Sequence, residues 1–273
     1  MIKALAVLVN YGSEQLSYLE QVVKELNNFE KYEVTVIVQS NISLNIEGID
    51  HVNVMQLEDY QLLPLTCREV IWNHRDDFDI FLYGENDHLF KEYHLDNHIK
   101  YSNLLPDNRI SGLIQYEFND QGNYYPAYHL DFDWDFQSVE VFDNKVFAHF
   151  NNVHQATFIL TKSQLVEIGS RINFKELVNN ERSFSQKILR RLRKKLNLKV
   201  EPLEKYSVKC KVNTDIFEFA GKKKLICISE FEDNLIHHLP NLYIDGDKGR
   251  LKLRSDELKM KKSLNQLLGT NKY

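Results

Sequence analysis

The chain has 273 residues, 43% of them apolar and 27% charged, with 14 Tyr and 16 Phe against 10 Gly and 5 Pro. That composition belongs to a globular chain and excludes collagenous, low-complexity and disordered classes. Lys plus Arg number 34 and Asp plus Glu 39, a net charge of −5, so neither a nucleic-acid polycation nor an acidic tail is indicated.

Residues 5–9 form an unbroken apolar run, the pattern of a parallel strand covered on both faces. The run is shorter than a signal-peptide core (roughly 7–15 residues) and far shorter than a membrane span (about 20). A cytoplasmic chain without a transmembrane segment is expected. Ser13 is placed to cap a helix in which Leu16, Leu19, Val22, Val23 and Leu26 recur at helical spacing. The β-branched stretch 32–38 is the next strand, running into Gln39, Ser40 and Asn41, and completes a βαβ unit. No Gly-x-Gly-x-x-Gly and no Walker lysine follows the first strand, so dinucleotide and P-loop readings lose their main support. A short strand is expected at 52–55, and a helix from Pro64 through Arg68, Ile71 and Trp72 to about residue 75. Residues 79–83 are a buried strand that runs into Gly84-Glu85-Asn86-Asp87-His88, with a helix over 91–104 beyond it.

The middle of the chain changes character. Residues 109–118, 124–130, 139–142 and 146–150 are short β-like runs, with a hairpin loop at Asp143-Asn144-Lys145. Residues 157–160 are a strand, Thr161 caps a helix at 162–168, and a longer helix is expected over 183–196. From Lys209 onward the pattern reads as β and loop, with a strand near 225–229 and a Lys-rich tail after Gly249. With no repeat or linker in view, one mixed α/β domain is expected over 1–250, with a tail at 251–273. Its N-terminal half is Rossmann-like and its second half more antiparallel. Cys67, Cys210 and Cys227 have no C-x-x-C spacing, which excludes a disulfide framework and a Cys-rich zinc site and suits a reducing compartment.

Two segments carry the chemistry. Glu85 and Asp87 stand one residue apart just past a strand end, where open α/β sheets bind ligands. Such a carboxylate pair can share Mg²⁺ or Mn²⁺ with a diphosphate, or can be a solvated acidic turn. Far along the chain, His237 and His238 sit in Ile236-His237-His238-Leu239-Pro240-Asn241-Leu242-Tyr243. An imidazole there could complete a metal shell, donate to a phosphate, or satisfy a local backbone group.

Taken together, the βαβ unit, the 79–87 strand and acidic loop, the His154-Gln155-Ala156-Thr157-Phe158-Ile159-Leu160-Thr161 run and the 237–243 segment resemble a glycosyltransferase of the GT-A fold. The likeness spans about residues 3–245. It is to a bacterial subgroup with a strand ending in Tyr-x-Glu-Asp-Asp and a late His-His-Leu-Pro-Asn-like segment. The resemblance implies a GT-A-like mixed sheet with a nucleotide-binding half and an acceptor half. It also implies a nucleotide-sugar donor, UDP-linked by expectation, bound with Mn²⁺ or Mg²⁺ through a DxD-like loop. Glu85 and Asp87 occupy the matching positions, and Asn86 replaces the middle acid, which lowers the loop's negative charge. Asn10 and Tyr11 lie where such proteins hold the nucleoside, with Ser40 and Asn41 beyond the second strand. Asp87, His237 and His238 are the expected metal ligands. Arg68 could pair with a phosphate or with a surface acid. An inverting enzyme needs a base for the acceptor hydroxyl, and Glu181, ahead of the 183–196 helix, has the position; the simpler reading is an ordinary first-turn Glu favoured by the helix dipole. A nucleotidyltransferase and a non-catalytic sugar- or partner-binding chain of the same fold are the alternatives.

Other features divide between functional and structural readings. Asp131-Phe132-Asp133-Trp134-Asp135 has Phe136 where an EF-hand needs Gly and Phe142 where it needs Glu, so it is not a calcium loop. Trp134, Tyr124, Tyr125 and Tyr128 offer faces for an acceptor glycan or pack a hairpin. The basic run 190–195 could contact anionic lipid at the inner membrane face or be a solvated helix face. His154 is either an acceptor-site residue or structural.

Overall fold

In the computed structural model, which describes residues 1–126, 134–178, 188, 192, 206–244 and 254–269, the first apolar run is β1 (Ile2–Asn10). Ala4 through Leu8 are fully buried because both faces of the strand are covered. Leu5, Val7 and Val9 enter one core cluster, and Ala4, Ala6 and Leu8 enter another. The strands β2 (Tyr32–Ser40), β3 (His51–Val54) and β4 (Ile80–Glu85) run parallel to β1, and β11 (Thr157–Thr161) runs antiparallel to β4. The sheet order is β11-β4-β1-β2-β3. This is a mixed α/β architecture with a Rossmann-like N-terminal half.

Helices cover both faces. The apolar stripe of α1 (Leu16–Asn27) and Leu95 of α3 (Glu92–Ser102) lie on one side. On the other lie α2 (Leu63–Asn73), α4 (Lys162–Arg171) and α5 (Val208–Glu218). Gln15, not Ser13, is the N-cap of α1, and it makes no side-chain cap bond. Thr161 caps α4 as its position predicts: its hydroxyl accepts from Gln164 N at 3.3 Å, and Gln164 Oε1 accepts from Thr161 N at 3.0 Å.

The second half is more antiparallel. Its strands are β5 (His88–Leu89), β6 (Arg109–Ser111), β7 (Ile114–Asn119), β8 (Gly122–Pro126), β9 (Trp134–Phe142), β10 (Lys145–Phe150), β12 (Lys223–Cys227), β13 (Leu235–His238) and β14 (Arg254–Asp256). They form sheets of order β6-β12-β10-β9 and β14-β8-β7-β13-β5. The single run expected at 109–118 is therefore two strands in two sheets. They separate at Gly112, where a Cβ would stand 2.0 Å from the Lys224 side chain.

Helix α5 replaces the β and loop expected from Lys209 onward. Cys210 and residues Val212 through Phe217 are buried, so polar and apolar residues alike face the interior and no amphipathic stripe marks the helix. The strand expected at 225–229 begins two residues earlier, at Lys223, and gives way to 3₁₀ turns over Ile228–Asn234. In the Lys-rich segment after Gly249, α6 (Glu257–Leu267) buries Met260 and Leu267 against Ile114, Tyr125 and Trp134. The helix expected at 183–196 lies outside the described residues except Ile188 and Leu192, as does the end of the 124–130 run. Among the described residues no helix is long and apolar enough to cross a membrane.

Candidate active site

Three parallel strands end together: β1 at Asn10, β2 at Ser40 and β4 at Glu85. Asn10, 1% exposed, ties them. Its Nδ2 donates to Ser40 Oγ at 3.2 Å and to the Gly12 carbonyl at 3.0 Å, while its Oδ1 accepts from Asn86 Nδ2 at 2.7 Å. Asn41 Oδ1 accepts from Gly12 N at 2.7 Å, and Gly12 has φ +72°, a backbone geometry that suits glycine. Of the residues expected at the nucleoside, Asn10, Ser40 and Asn41 thus build the floor. Tyr11, 63% exposed, projects from it with its ring centroid 5.4 Å from that of Tyr60. Beside it opens a cleft of about 450 Å³ lined by Tyr11, Glu14, Tyr60, Glu85, Asn86 and Lys209, among others.

Past β4 the chain turns tightly into β5, which pairs antiparallel with β13 so that His88 stands opposite His238. Asp87 is thereby held between two imidazoles. His88 Nδ1 lies 2.8 Å from Asp87 Oδ1, and His238 Nε2 lies 3.2 Å from Asp87 Oδ2. On its other side His238 Nδ1 donates to Glu117 Oε1 at 2.6 Å. Glu117 is fully buried on β7, and its Oε2 accepts from the backbone N–H of Tyr243 and Ile244 at 3.0 and 3.1 Å. The Tyr243 ring stacks on His238 at 5.4 Å.

The electrostatics follow from this geometry. Burial would raise the Asp87 carboxyl, but hydrogen bonds from His238 and His88 outweigh it and hold the group well below the usual carboxylate range. Burial opposes charge on His238, yet its bonds to Asp87 and Glu117 lift the imidazole to about 9. Glu85 moves the other way: burial and then the Asp87 charge raise it.

Glu85, Asp87 and His88 can each offer a ligand atom within 4.8 Å of the others. The Nε2 of His88 is buried without a hydrogen-bond partner among the described residues, so the ring has a nitrogen left to give a ligand. Carboxylates with imidazoles make a mixed oxygen and nitrogen donor set, which fits Mn²⁺ better than Mg²⁺. Glu117 bonds Nδ1 of His238 and Asp87 bonds its Nε2, so Glu117 orients the imidazole that holds the Asp87 carboxylate in place.

The structure brings Asp87 and His238 together and leaves His237 out. Successive residues of a strand point to opposite faces. His237 of β13 stacks with Tyr116 and Phe118 at 5.2 and 4.9 Å and is not among the residues whose ligand atoms gather around Asp87. Arg68 is buried rather than lining the cleft. It donates to the carbonyls of Phe174, Asn173 and Glu176 at 2.6, 3.4 and 3.1 Å, so the segment after α4, not a phosphate, is its partner. Glu181 lies outside the described residues, as do Tyr128 and the basic run 190–195. Trp134 and Tyr125 are core residues, packed with Phe231. His154 is buried, with Nδ1 3.0 Å from Asn213 Oδ1 and Nε2 3.5 Å from Cys210 Sγ.

Sequence reasoning missed Glu117, His88, Tyr60 and Lys209. The signal for Glu117 was a charged residue in β7 in alternation with Gln115, both buried. His88 was quoted in the acidic loop without a role.

No protein-family model and no curated protein matches the chain. Among solved structures, the crystal structure of S. aureus TarS 1–349, a wall teichoic acid glycosyltransferase, matches at TM-score 0.44 and 13% identity, over 98% of this chain and 71% of that one. A likeness of that degree decides nothing about the chemistry here.

Proposed function

We propose that the chain is a divalent-metal-dependent glycosyltransferase that moves a sugar from a nucleotide-sugar donor to an acceptor hydroxyl. The observation that carries the reading is the convergence of Glu85, Asp87, His88 and His238 at the carboxyl edge of a parallel sheet, beside a cleft of about 450 Å³. In this reading the nucleoside lies at Tyr11 and Tyr60 and the diphosphate toward Glu85 and Asn86, which line the same cleft, with Asp87 behind them. Bound there, Mn²⁺ would neutralise charge on the departing diphosphate. In the transfer the bond from the anomeric carbon to the phosphate oxygen breaks, its electron pair staying with that oxygen. The acceptor oxygen bonds to the carbon and its proton passes to a base, for which Glu181 is the proposed group in an inverting reaction.

Asn86 supports an intact site over a decayed one. Its amide is used in the bond to Asn10, which a carboxylate could not make. The test is thermal unfolding of the protein with UDP-, GDP- and dTDP-sugars, with and without Mn²⁺. A donor at a hundredfold excess over its dissociation constant stabilises by about 2.7 kcal/mol. No stabilisation by any nucleotide sugar with Mn²⁺ present would refute the reading.

A further inference from the structure

Lys209 is the one basic side chain among the described residues lining the cleft, whose acids are Glu14 and Glu85. A phosphate chain entering there meets two carboxylates, so its oxygens need cations on more than one side. The acidic loop offers an ion site at one wall. Lys209 lines the same cleft, is exposed, and has no ion pair among the described residues.

The mount of Lys209 is rigid. It is the second residue of α5, and the next residue, Cys210, is fully buried. The Ser207 hydroxyl donates to Cys210 Sγ at 3.0 Å, and His154 Nε2 lies 3.5 Å from the same sulfur. His154 is held in turn by Asn213, one turn further along α5, at 3.0 Å. The line Cys210–His154–Asn213 therefore pins the first turn of α5 to the loop before β11, on elements that give a charged side chain a fixed origin. A buried thiol raised by its surroundings is a poor nucleophile, and here it serves as a tether.

We infer that Lys209 grips the phosphate chain of the donor in the cleft it shares with the acidic loop, making the cleft selective for nucleoside diphosphates over nucleosides. The inference rests on the nucleotide-sugar reading and adds the group that recognises the anion.

The experiment is calorimetric titration of wild type, Lys209→Met and Lys209→Arg with UDP, uridine and inorganic pyrophosphate, each with Mg²⁺ present. The expected result is that Lys209→Met weakens UDP and pyrophosphate about ten- to hundredfold, the loss of a charge-assisted hydrogen bond. Uridine binding should stay unchanged and Lys209→Arg should recover most of the loss. Because the side chain is exposed, unchanged melting temperatures should accompany these shifts. Wild type and Lys209→Met binding UDP equally would overturn the inference and leave the glycosyltransferase reading standing. Lys209-dependent binding of pyrophosphate without any binding of UDP would uphold the grip and overturn the nucleotide reading. A wild-type protein that binds neither would overturn both.

Discussion

Asn86 donates its amide to Asn10 Oδ1 at 2.7 Å, joining the loop after β4 to the end of β1. The bond fixes which way the Asn10 amide faces, and so directs its Nδ2 onto Ser40 and Gly12. Restoring the acid that the sequence pattern leads one to expect there would set acceptor against acceptor. Asn86→Asp should therefore lower stability by about 1–2 kcal/mol in metal-free urea unfolding. Unchanged stability would mean that the Asn10 amide turns over at no cost.

Asp87 is buried between two imidazoles, so it is more than a binding group on a loop. Asp87→Asn should abolish Mn²⁺ binding and also cost about 1–3 kcal/mol of stability, since His88 and His238 lose a charged acceptor. Calorimetric titration with Mn²⁺ reads the first effect and chemical denaturation the second. Retained Mn²⁺ affinity would remove Asp87 from the metal site.

The adjacent histidines should separate cleanly. His238→Gln should weaken Mn²⁺ binding about 10–100-fold, because it loosens the Asp87 carboxylate, and His237→Gln should leave it unchanged, because β13 turns the two rings to opposite faces. Glu117→Gln keeps the shape but presents an amide to either His238 or the Tyr243 and Ile244 N–H groups. A drop of about 10–100-fold in Mn²⁺ affinity is expected, the effect of losing an outer-shell carboxylate. Equal losses from both histidine variants would contradict the assignment.

Lys224 predicts a pH dependence of stability. It is buried on the wall of a small internal cavity, its amine donating to the Val153 carbonyl at 3.1 Å, and burial lowers it to about 7. Its unfolded value is near 10.5, so between pH 7 and 10.5 the unfolded chain binds more protons and stability rises with pH. The slope is at most about 1.4 kcal/mol per pH unit. Lys224→Met, which removes the buried amine, should be more stable than wild type at pH 7, with the gap narrowing by pH 9. A gap that stays constant in thermal melts would show that the lysine keeps its proton.

The parallel core was legible because β1 and β4 are buried on both faces and read as apolar runs, and because α1 shows a clear stripe at Leu19, Val22, Val23 and Leu26. The acidic loop was legible because it follows such a strand directly. What failed to show was anything decided by contacts distant in sequence. Arg68 has the composition of an anion ligand, yet the carbonyls it satisfies lie 105 to 108 residues further on. Helix α5 hides because Asn213, Thr214 and Asp215 are buried in it, which breaks the pattern that usually reveals a helix. Of the adjacent histidines, strand alternation alone allows only one to meet Asp87, but choosing it requires the β5–β13 register.

Strand β11 runs against β4, with Thr157 opposite Gly84, so the chain enters β11 at the same edge where it leaves β4. The bend at Ala156, at φ +51°, and the acidic loop are therefore neighbours in space that belong to separate connections. The connection before β11 is built into the interior: residues 152–155 are buried, with His154 on Cys210 and Asn213 and Gln155 accepting from the Gln115 N–H, so a substitution there would loosen the first turn of α5 and β7 while the acidic loop, on its own connection, kept its register.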